Sequence, residues 1–182
     1  MKKRKIIIKF LARFFVTYFL LLAVYNFYLK QTQRTGEVFS CAPMTKMVAF
    51  HTYELGKLLG FDTYTGQHES ELSMKFFVGD VYASRIVEGC NSISIIILFL
   101  AFIIAFSGSL KATVIYGLVG TIIIYIVNLF RILLLSLFMY KYPEYQYFLH
   151  NIFFPGVIYG TTFILWIIWV NKFSNLKRKK NE

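Results

Sequence analysis

Three side chains between residues 90 and 150 have the chemistry of a nucleophilic site: the Cys90 thiol, the Arg131 guanidinium and the His150 imidazole. A thiolate attacks a carbonyl carbon, an imidazole takes up and returns protons, and a guanidinium stabilises a developing oxyanion. Cys90 stands where the polar residues 87–91 meet a long apolar run, and the N-terminus of a helix would stabilise a thiolate there. If the fold brings them together, the three side chains predict acyl transfer through a thioester.

Two asparagines could support this chemistry. Asn128 precedes Arg131 by three residues and shares its helix face, so its amide could orient the guanidinium or hydrogen-bond a neighbouring helix. Backbone N–H groups near Asn91 and Ser92 could add donors for the oxyanion.

Glu88 is close enough in sequence to Cys90 to affect the thiol. A carboxylate there opposes thiolate formation unless it pairs with a cation such as Arg131 or Arg85. We therefore interpret Glu88 as an organiser of the site rather than as an acid.

The remaining thiol and imidazoles belong to Cys41, His51 and His68. None of them has a partner at the spacing of metal ligands. We therefore assign no metal and no cofactor.

The composition indicates a membrane protein. Of the 182 residues, 57% are apolar and 19% are aromatic, which is too many for a soluble domain of this size. The formal net charge of +11 would also suit nucleic acid, but six of the 20 Lys and Arg residues lie before Phe14 and five follow Val170. Basic residues that flank apolar runs are an orientation signal, so we expect a lipid bilayer as the partner and no nucleic acid.

Four apolar runs predict transmembrane helices, since about 20 residues cross a hydrocarbon core near 30 Å. They cover approximately residues 10–29, 92–107, 112–131 with an apolar extension to 139, and 151–170. Residues 30–89 carry charges of both signs, with helical spacing from Met44 to Leu59 and a possible strand turn at Gly79-Asp80. We predict an all-α polytopic membrane protein, one membrane-embedded domain over residues 1–182, with a small outward-facing α/β region at 30–89.

The basic ends of the chain set the predicted topology. An even number of spans puts both termini on one side, and the positive-inside bias makes that side the cytoplasm. Cys90 then opens the second span at its outer end, Arg131 lies near the outer end of the third, and His150 precedes the fourth on the outer side. Three different helices therefore bring the three side chains to one layer.

Each of these residues also has an ordinary explanation. A cysteine in apolar sequence is usually a packing residue, and a histidine at a helix start is usually interfacial. Arg131 could snorkel to the outer headgroups, although an arginine among apolar residues is costly and functional by default. A disulfide between Cys41 and Cys90 is a further alternative, because the predicted topology puts both outside the cytoplasm.

Three short motifs carry a resemblance to a known family. They are Glu88-Gly89-Cys90-Asn91-Ser92-Ile93 opening one helix, Asn128-Leu129-Phe130-Arg131-Ile132 late in the next, and His150 followed by Phe154-Pro155-Gly156 in another. In order, spacing and membrane placement they resemble the motif set of the exosortase/archaeosortase family. The small size and four spans resemble the exosortase F type of Bacteroidetes, and the resemblance covers residues 81–159, roughly half of the chain.

The resemblance implies a cysteine transpeptidase of the bacterial inner membrane, with its active site on the periplasmic side. Its partners would be exported proteins whose C-terminal sorting signal has a short motif, a transmembrane helix and a basic cluster. The family roles map onto Cys90 as the nucleophile, with Arg131 and His150 completing the site. Larger exosortases have roughly twice as many spans, so a small membrane accessory protein could supply missing substrate-binding elements. Many relatives have Cys-Ser-Gly where this chain has Cys90-Asn91-Ser92, a departure that could alter the oxyanion pocket.

Two other classes of protein fit the same sequence. In a non-catalytic assembly or scaffold protein of a surface-export system, the three side chains would only pack and snorkel. In a purely hydrolytic membrane protease, water would take the place of the second acceptor. A free carboxylate on the new substrate C-terminus indicates hydrolysis, and an added group indicates transfer.

Overall fold

The computed structural model describes residues 2–36, 38–106 and 108–173, and this part of the chain is mostly helical. The elements in chain order are α1 (Lys2–Thr32), α2 (Pro43–Leu58), β1 (Thr63–Gln67), β2 (Ser73–Val78), β3 (Val81–Val87), α3 (Ile93–Ala105), α4 (Leu110–Lys141), α5 (Gln146–Phe148) and α6 (Phe154–Lys172). Short 3-10 turns cover Glu88–Cys90 and Pro143–Tyr145, and a π-helical turn covers Leu149–Phe153. The basic tail at residues 177–180 lies outside the described residues.

Three helical stretches are long and apolar enough to cross a membrane: Ile7–Thr32, Leu110–Lys141 and Pro143–Lys172. The first contains the predicted span at residues 10–29. The second joins the predicted third span and its apolar extension into the continuous helix α4. The last stretch begins before residue 151, so His150 lies in a π-helical turn inside it instead of preceding it.

The predicted second span is shorter than expected. α3 has 13 residues, which at 1.5 Å of rise per residue gives about 20 Å, against about 30 Å for a hydrocarbon core. α3 begins at Ile93, one residue after the predicted start, because Ser92 has a φ of 62°, in the left-handed region, and cannot extend a right-handed helix. It ends at Ala105, two residues before the predicted end. The described residues therefore contain three membrane-length helices and one short apolar helix instead of four full-length spans.

The described chain divides into two compact units. One unit, here called the sheet unit, comprises residues 27–92 and 125–158, and the other, the helical unit, comprises the described residues of 1–26, 93–124 and 159–182. In the helical unit, the rings of Phe102 and Trp166 stack with centroids 4.3 Å apart, and the Tyr116 hydroxyl donates to the Leu165 carbonyl at 2.7 Å. Aromatic side chains thus join α3, α4 and α6 within this unit.

The sheet unit contains a three-stranded antiparallel sheet in the order β1-β2-β3. The predicted turn at Gly79-Asp80 joins β2 to β3, and Gly79 has a φ of 56°, which glycine adopts without strain. α2 packs against the sheet, and the core combines Val48 of α2, Phe76 of β2 and Leu133 of α4, all nearly inaccessible to solvent. This core holds β3 in place, and β3 leads directly into the turn that carries Cys90.

Candidate active site

Cys90 is the last residue of the 3-10 turn Glu88–Cys90, which follows β3 directly. The residue is half-buried and its thiol is free. α3 begins three residues later, so Cys90 precedes the helix instead of opening it, and Ser92 lies between them. The left-handed conformation of Ser92 costs a non-glycine residue about 1–2 kcal/mol, and backbone strain of this kind clusters at functional sites.

Glu88 fastens the Cys90 turn to the start of α2. Its carboxylate accepts hydrogen bonds from the Ala42 backbone N–H, at 2.8 Å, and from the Thr45 hydroxyl. The Asn91 amide nitrogen donates to the same hydroxyl oxygen at 3.1 Å. Unpaired N–H groups and the positive end of the helix dipole stabilise a carboxylate at the first turn of a helix.

Glu88 binds these groups and neither of the arginines considered from the sequence. Arg85 pairs instead with Glu71, with 3.0 Å between Nη1 and Oε2. Glu88 therefore organises the site through its hydrogen bonds to the start of α2 and not through an arginine. Thr45 was not among the predicted site residues, because 43 positions separate it from Glu88 and only its place in the first turn of α2 hints at a role.

Asn128 connects the Cys90 turn to α4. Its side chain is fully buried, and its amide nitrogen donates to the Cys90 backbone carbonyl at 2.7 Å. Its amide oxygen accepts a hydrogen bond from Arg131 Nη1 at 3.4 Å. Asn128 therefore orients the guanidinium and also bonds a neighbouring segment, which were the two roles considered for it.

Arg131 has a donor that the described part of the chain does not use. The residue is half-buried, and its Nε atom is fully buried without a hydrogen-bond partner. The two ion pairs found among the described residues do not involve Arg131. A buried donor left without a partner costs about 1–3 kcal/mol, and an arginine in a membrane-length apolar helix is functional by default.

One cavity of about 270 Å³ in the sheet unit is lined by Cys90, Arg131 and His150. Its other lining residues come from β3, α4 and α5: Ser84, Arg85, Ile86, Ile132, Leu135, Met139 and Gln146. The β3 residues were not predicted from the sequence, where nothing distinguishes them from other strand residues. A larger cavity of about 360 Å³, in the helical unit, is lined by no cysteine or histidine.

His150 lies in the π-helical turn Leu149–Phe153, and its side chain is exposed. A π-helical turn inserts one residue into a helical stretch and changes the direction of the side chains around it. Such turns are rare in proteins as a whole, but many of those that occur are found at functional sites. The sequence predicted His150 as a site residue but not this local geometry.

Cys41 has a different environment from Cys90. It is fully buried in the core of the sheet unit, where its sulfur accepts a hydrogen bond from Gln67 Nε2 at 3.7 Å. Burial raises the pKa of the Cys41 thiol, so it stays neutral at physiological pH. Both cysteines are free, and the alternative disulfide between them is absent from the structure.

The other two histidines make local contacts. His51 Nδ1 lies 2.8 Å from the Tyr125 hydroxyl, and His68 Nδ1 accepts the Ser70 backbone N–H at 3.2 Å. Neither residue lines the cavity that contains Cys90.

The cavity therefore combines a free thiol, an exposed imidazole and a guanidinium with an unused donor. This set can carry out acyl transfer, because it supplies a nucleophile, a proton carrier and a donor for an oxyanion. Comparisons with protein-family models, with curated proteins and with solved structures find no match for this chain.

Proposed function

We propose that this chain is a membrane cysteine transpeptidase that cleaves a C-terminal sorting signal of exported proteins and transfers the substrate to an acceptor. The observation that carries the proposal is the single cavity lined by Cys90, Arg131 and His150. These are also the residues onto which the resemblance to the exosortase/archaeosortase family, exosortase F type, maps the family roles.

The backbone at Ser92 supports the same resemblance. Many members of that family have glycine two residues after the cysteine, where this chain has Ser92. The φ of 62° at Ser92 is a conformation that glycine adopts at no steric cost. Ser92 therefore has the backbone conformation that a glycine would favour at this position, although the residue type differs.

In the first half of the proposed reaction, His150 takes the proton of Cys90, and the sulfur bonds to the carbonyl carbon of the scissile peptide. Arg131, which lines the cavity, donates to the oxyanion of the tetrahedral intermediate through its guanidinium. The intermediate then collapses as the C–N bond breaks. His150 returns the proton to the leaving amine, and the acyl group remains on Cys90 as a thioester.

In the second half, the acceptor gives its proton to His150 and its nucleophilic atom bonds to the thioester carbon. The C–S bond breaks, the acceptor keeps the acyl group, and the thiolate of Cys90 regains the proton. Water in the place of the acceptor would give hydrolysis through the same steps. The residues of the site serve both outcomes, and the product distinguishes them.

The proposed location is the bacterial inner membrane, with both termini in the cytoplasm and the site on the periplasmic side. Four crossings, with α3 as the short second one, are supported by the shared cavity. With only α1, α4 and the last helical stretch crossing, Cys90 and His150 would belong to segments on opposite sides, yet both line one cavity. A short helix crosses where the bilayer thins or flanking side chains snorkel.

The substrate's own transmembrane helix would hold the scissile bond close to the membrane surface. Docking in the bilayer would replace a three-dimensional search by a positioned attack, an effect that contributes several kcal/mol to catalysis. This is the expected role of a sorting signal that includes a transmembrane helix.

The proposal is tested by trapping a covalent acyl-enzyme at Cys90 and identifying the attached peptide by mass spectrometry. Processing of that peptide's parent protein in cells should be lost in Cys90→Ala and Arg131→Ala, and kept in the matched variant Cys41→Ser. The new C-terminus should carry an added group, whereas a free carboxylate would indicate hydrolysis. Undiminished processing in both Cys90→Ala and Arg131→Ala would exclude the catalytic function.

A further inference from the structure

β3 is an edge strand of the sheet. It pairs with β2 on one side, and no strand of the described residues pairs with its other side. The backbone bonds outside helices and strands include none from Val81–Val87, and Val87 then caps the 3-10 turn that follows. An edge of this kind presents a row of unpaired N–H and C=O groups and is a template for another strand.

Three consecutive residues of β3, namely Ser84, Arg85 and Ile86, line the cavity that contains Cys90. Successive side chains of a strand point to opposite faces of a sheet, so a cavity over one face would meet mainly alternate residues. A cavity beside the edge of the strand meets residues of both faces, and lining by all three residues agrees with that position.

We propose that the substrate binds as an extended peptide segment that adds a fourth strand to the free edge of β3. This inference rests on the proposed transpeptidase function and names how its substrate is held. The 3-10 turn leads from Val87 at the end of β3 to Cys90 within three residues. A strand paired along β3 therefore delivers a peptide carbonyl to the thiol.

The cavity has a volume of about 270 Å³, slightly below the roughly 300–1,000 Å³ of small-molecule clefts. In strand addition, the backbone hydrogen bonds along the strand edge supply most of the affinity of the bound peptide. Binding of this kind tolerates variation in the peptide side chains, and side-chain pockets add the selectivity.

The test uses a probe that needs no knowledge of the natural substrate. The full chain with Cys41→Ser, purified in detergent, has Cys90 as its only thiol. The probe is acetyl-Val-Ala-Val-Ala chloromethyl ketone, whose reaction with the Cys90 thiolate forms a C–S bond and releases chloride. Two N-methylated analogues of the probe are isomers of each other: one carries N-methyl groups on the first and third backbone amides, and the other on the second and fourth.

The two isomers should differ, because only alternate residues of a strand donate to a neighbouring edge. One isomer should alkylate Cys90 about tenfold more slowly than the parent probe, the loss expected for one or two hydrogen bonds. The other should react at nearly the parental rate. After labelling with the parent probe, Val81–Val87 should gain protection from amide hydrogen exchange relative to protein labelled with chloroacetone, which has no amide.

Equal rates for the two isomers, with no added protection of Val81–Val87, would overturn strand addition. If the isomers differ but no acyl-enzyme is ever trapped, strand addition stands and the transpeptidase function fails. If an acyl-enzyme is trapped and the isomers react alike, the function stands and strand addition fails. The strand β1, at the other edge of the sheet, should show no change in exchange and serves as the internal control.

Discussion

Asn128 is the residue on which the geometry of the candidate site depends most directly. The amide nitrogen donates to the Cys90 backbone carbonyl, and the amide oxygen accepts from the guanidinium of Arg131. An amide thus supplies a donor and an acceptor from one buried side chain. An apolar replacement would leave the Cys90 carbonyl and an Arg131 N–H group without partners.

We expect Asn128→Ala to lower the free energy of unfolding by about 1–3 kcal/mol, the cost of buried groups left unsatisfied. Asn151→Ala is the matched control, because the Asn151 amide also donates to a backbone carbonyl but from an exposed position. The control should change stability by no more than about 0.5 kcal/mol. Denaturant unfolding of the detergent-solubilised protein measures both, and equal effects would show that the Asn128 bonds contribute nothing.

Asn128→Ala should also change the reactivity of Cys90, which a purely structural residue would leave alone. We expect iodoacetamide to alkylate Cys90 at a different rate in Asn128→Ala, because the Cys90 carbonyl and the Arg131 guanidinium both lose a hydrogen-bond partner. The rate in Asn151→Ala should match that of the parent chain. An unchanged rate in both variants would limit Asn128 to a packing role.

Residues close in sequence were predictable in a way that distant ones were not. The spacing of Asn128 and Arg131 puts them on one helix face, so their contact follows from helix geometry. The contact of Thr45 with Glu88 joins positions 43 apart and depends on how α2 packs against the strand that leads to Cys90. No local pattern encodes that packing.

The elements show the same division between local pattern and packing. Helical spacing predicted α2, and Gly79-Asp80 predicted the β2–β3 turn. β1 was missed because its sequence, Thr-Tyr-Thr-Gly-Gln, lacks apolar alternation and is held by pairing with β2. The start of α3 was predicted one residue early because hydropathy does not register the left-handed backbone at Ser92, and its end was predicted two residues late.

A close contact between α3 and α4 in the helical unit gives a prediction at this scale. A Cβ atom added at Gly120 would overlap the ring of Phe99. Gly120→Ala should therefore lower stability by about 1–3 kcal/mol, since overpacking forces neighbouring side chains out of place. Gly160→Ala is the matched control, because an added Cβ there meets nothing within 4 Å.

Alanine has the higher helix propensity by about 1 kcal/mol, so Gly160→Ala should be neutral or stabilising. Thermal unfolding of the two variants in the same detergent measures the difference. If Gly120→Ala were as stable as Gly160→Ala, α3 and α4 would not pack as closely as the structure has them.

At the scale of the whole molecule, composition and charge predicted a membrane protein. The number of membrane crossings determines whether Cys90 and His150 lie on the same side of the membrane. The described residues contain three membrane-length helices, together with α3 of 13 residues. Crossing by the three long helices alone would separate the termini across the bilayer. A fourth crossing by α3 would return both basic ends to the cytoplasm, in agreement with the positive-inside bias.

We therefore expect reporters fused to the chain to give a four-crossing pattern. Green fluorescent protein after Glu182 should fluoresce, since it folds only in the cytoplasm, and alkaline phosphatase after Tyr142 should be active, since it matures only in the periplasm. Alkaline phosphatase after Gly89 should be active in either topology and is the control for expression. If green fluorescent protein after Glu182 did not fluoresce and alkaline phosphatase after Tyr142 were inactive, the chain would cross the membrane three times. Cys90 and His150 would then lie on opposite sides of the membrane, and no single site could use both.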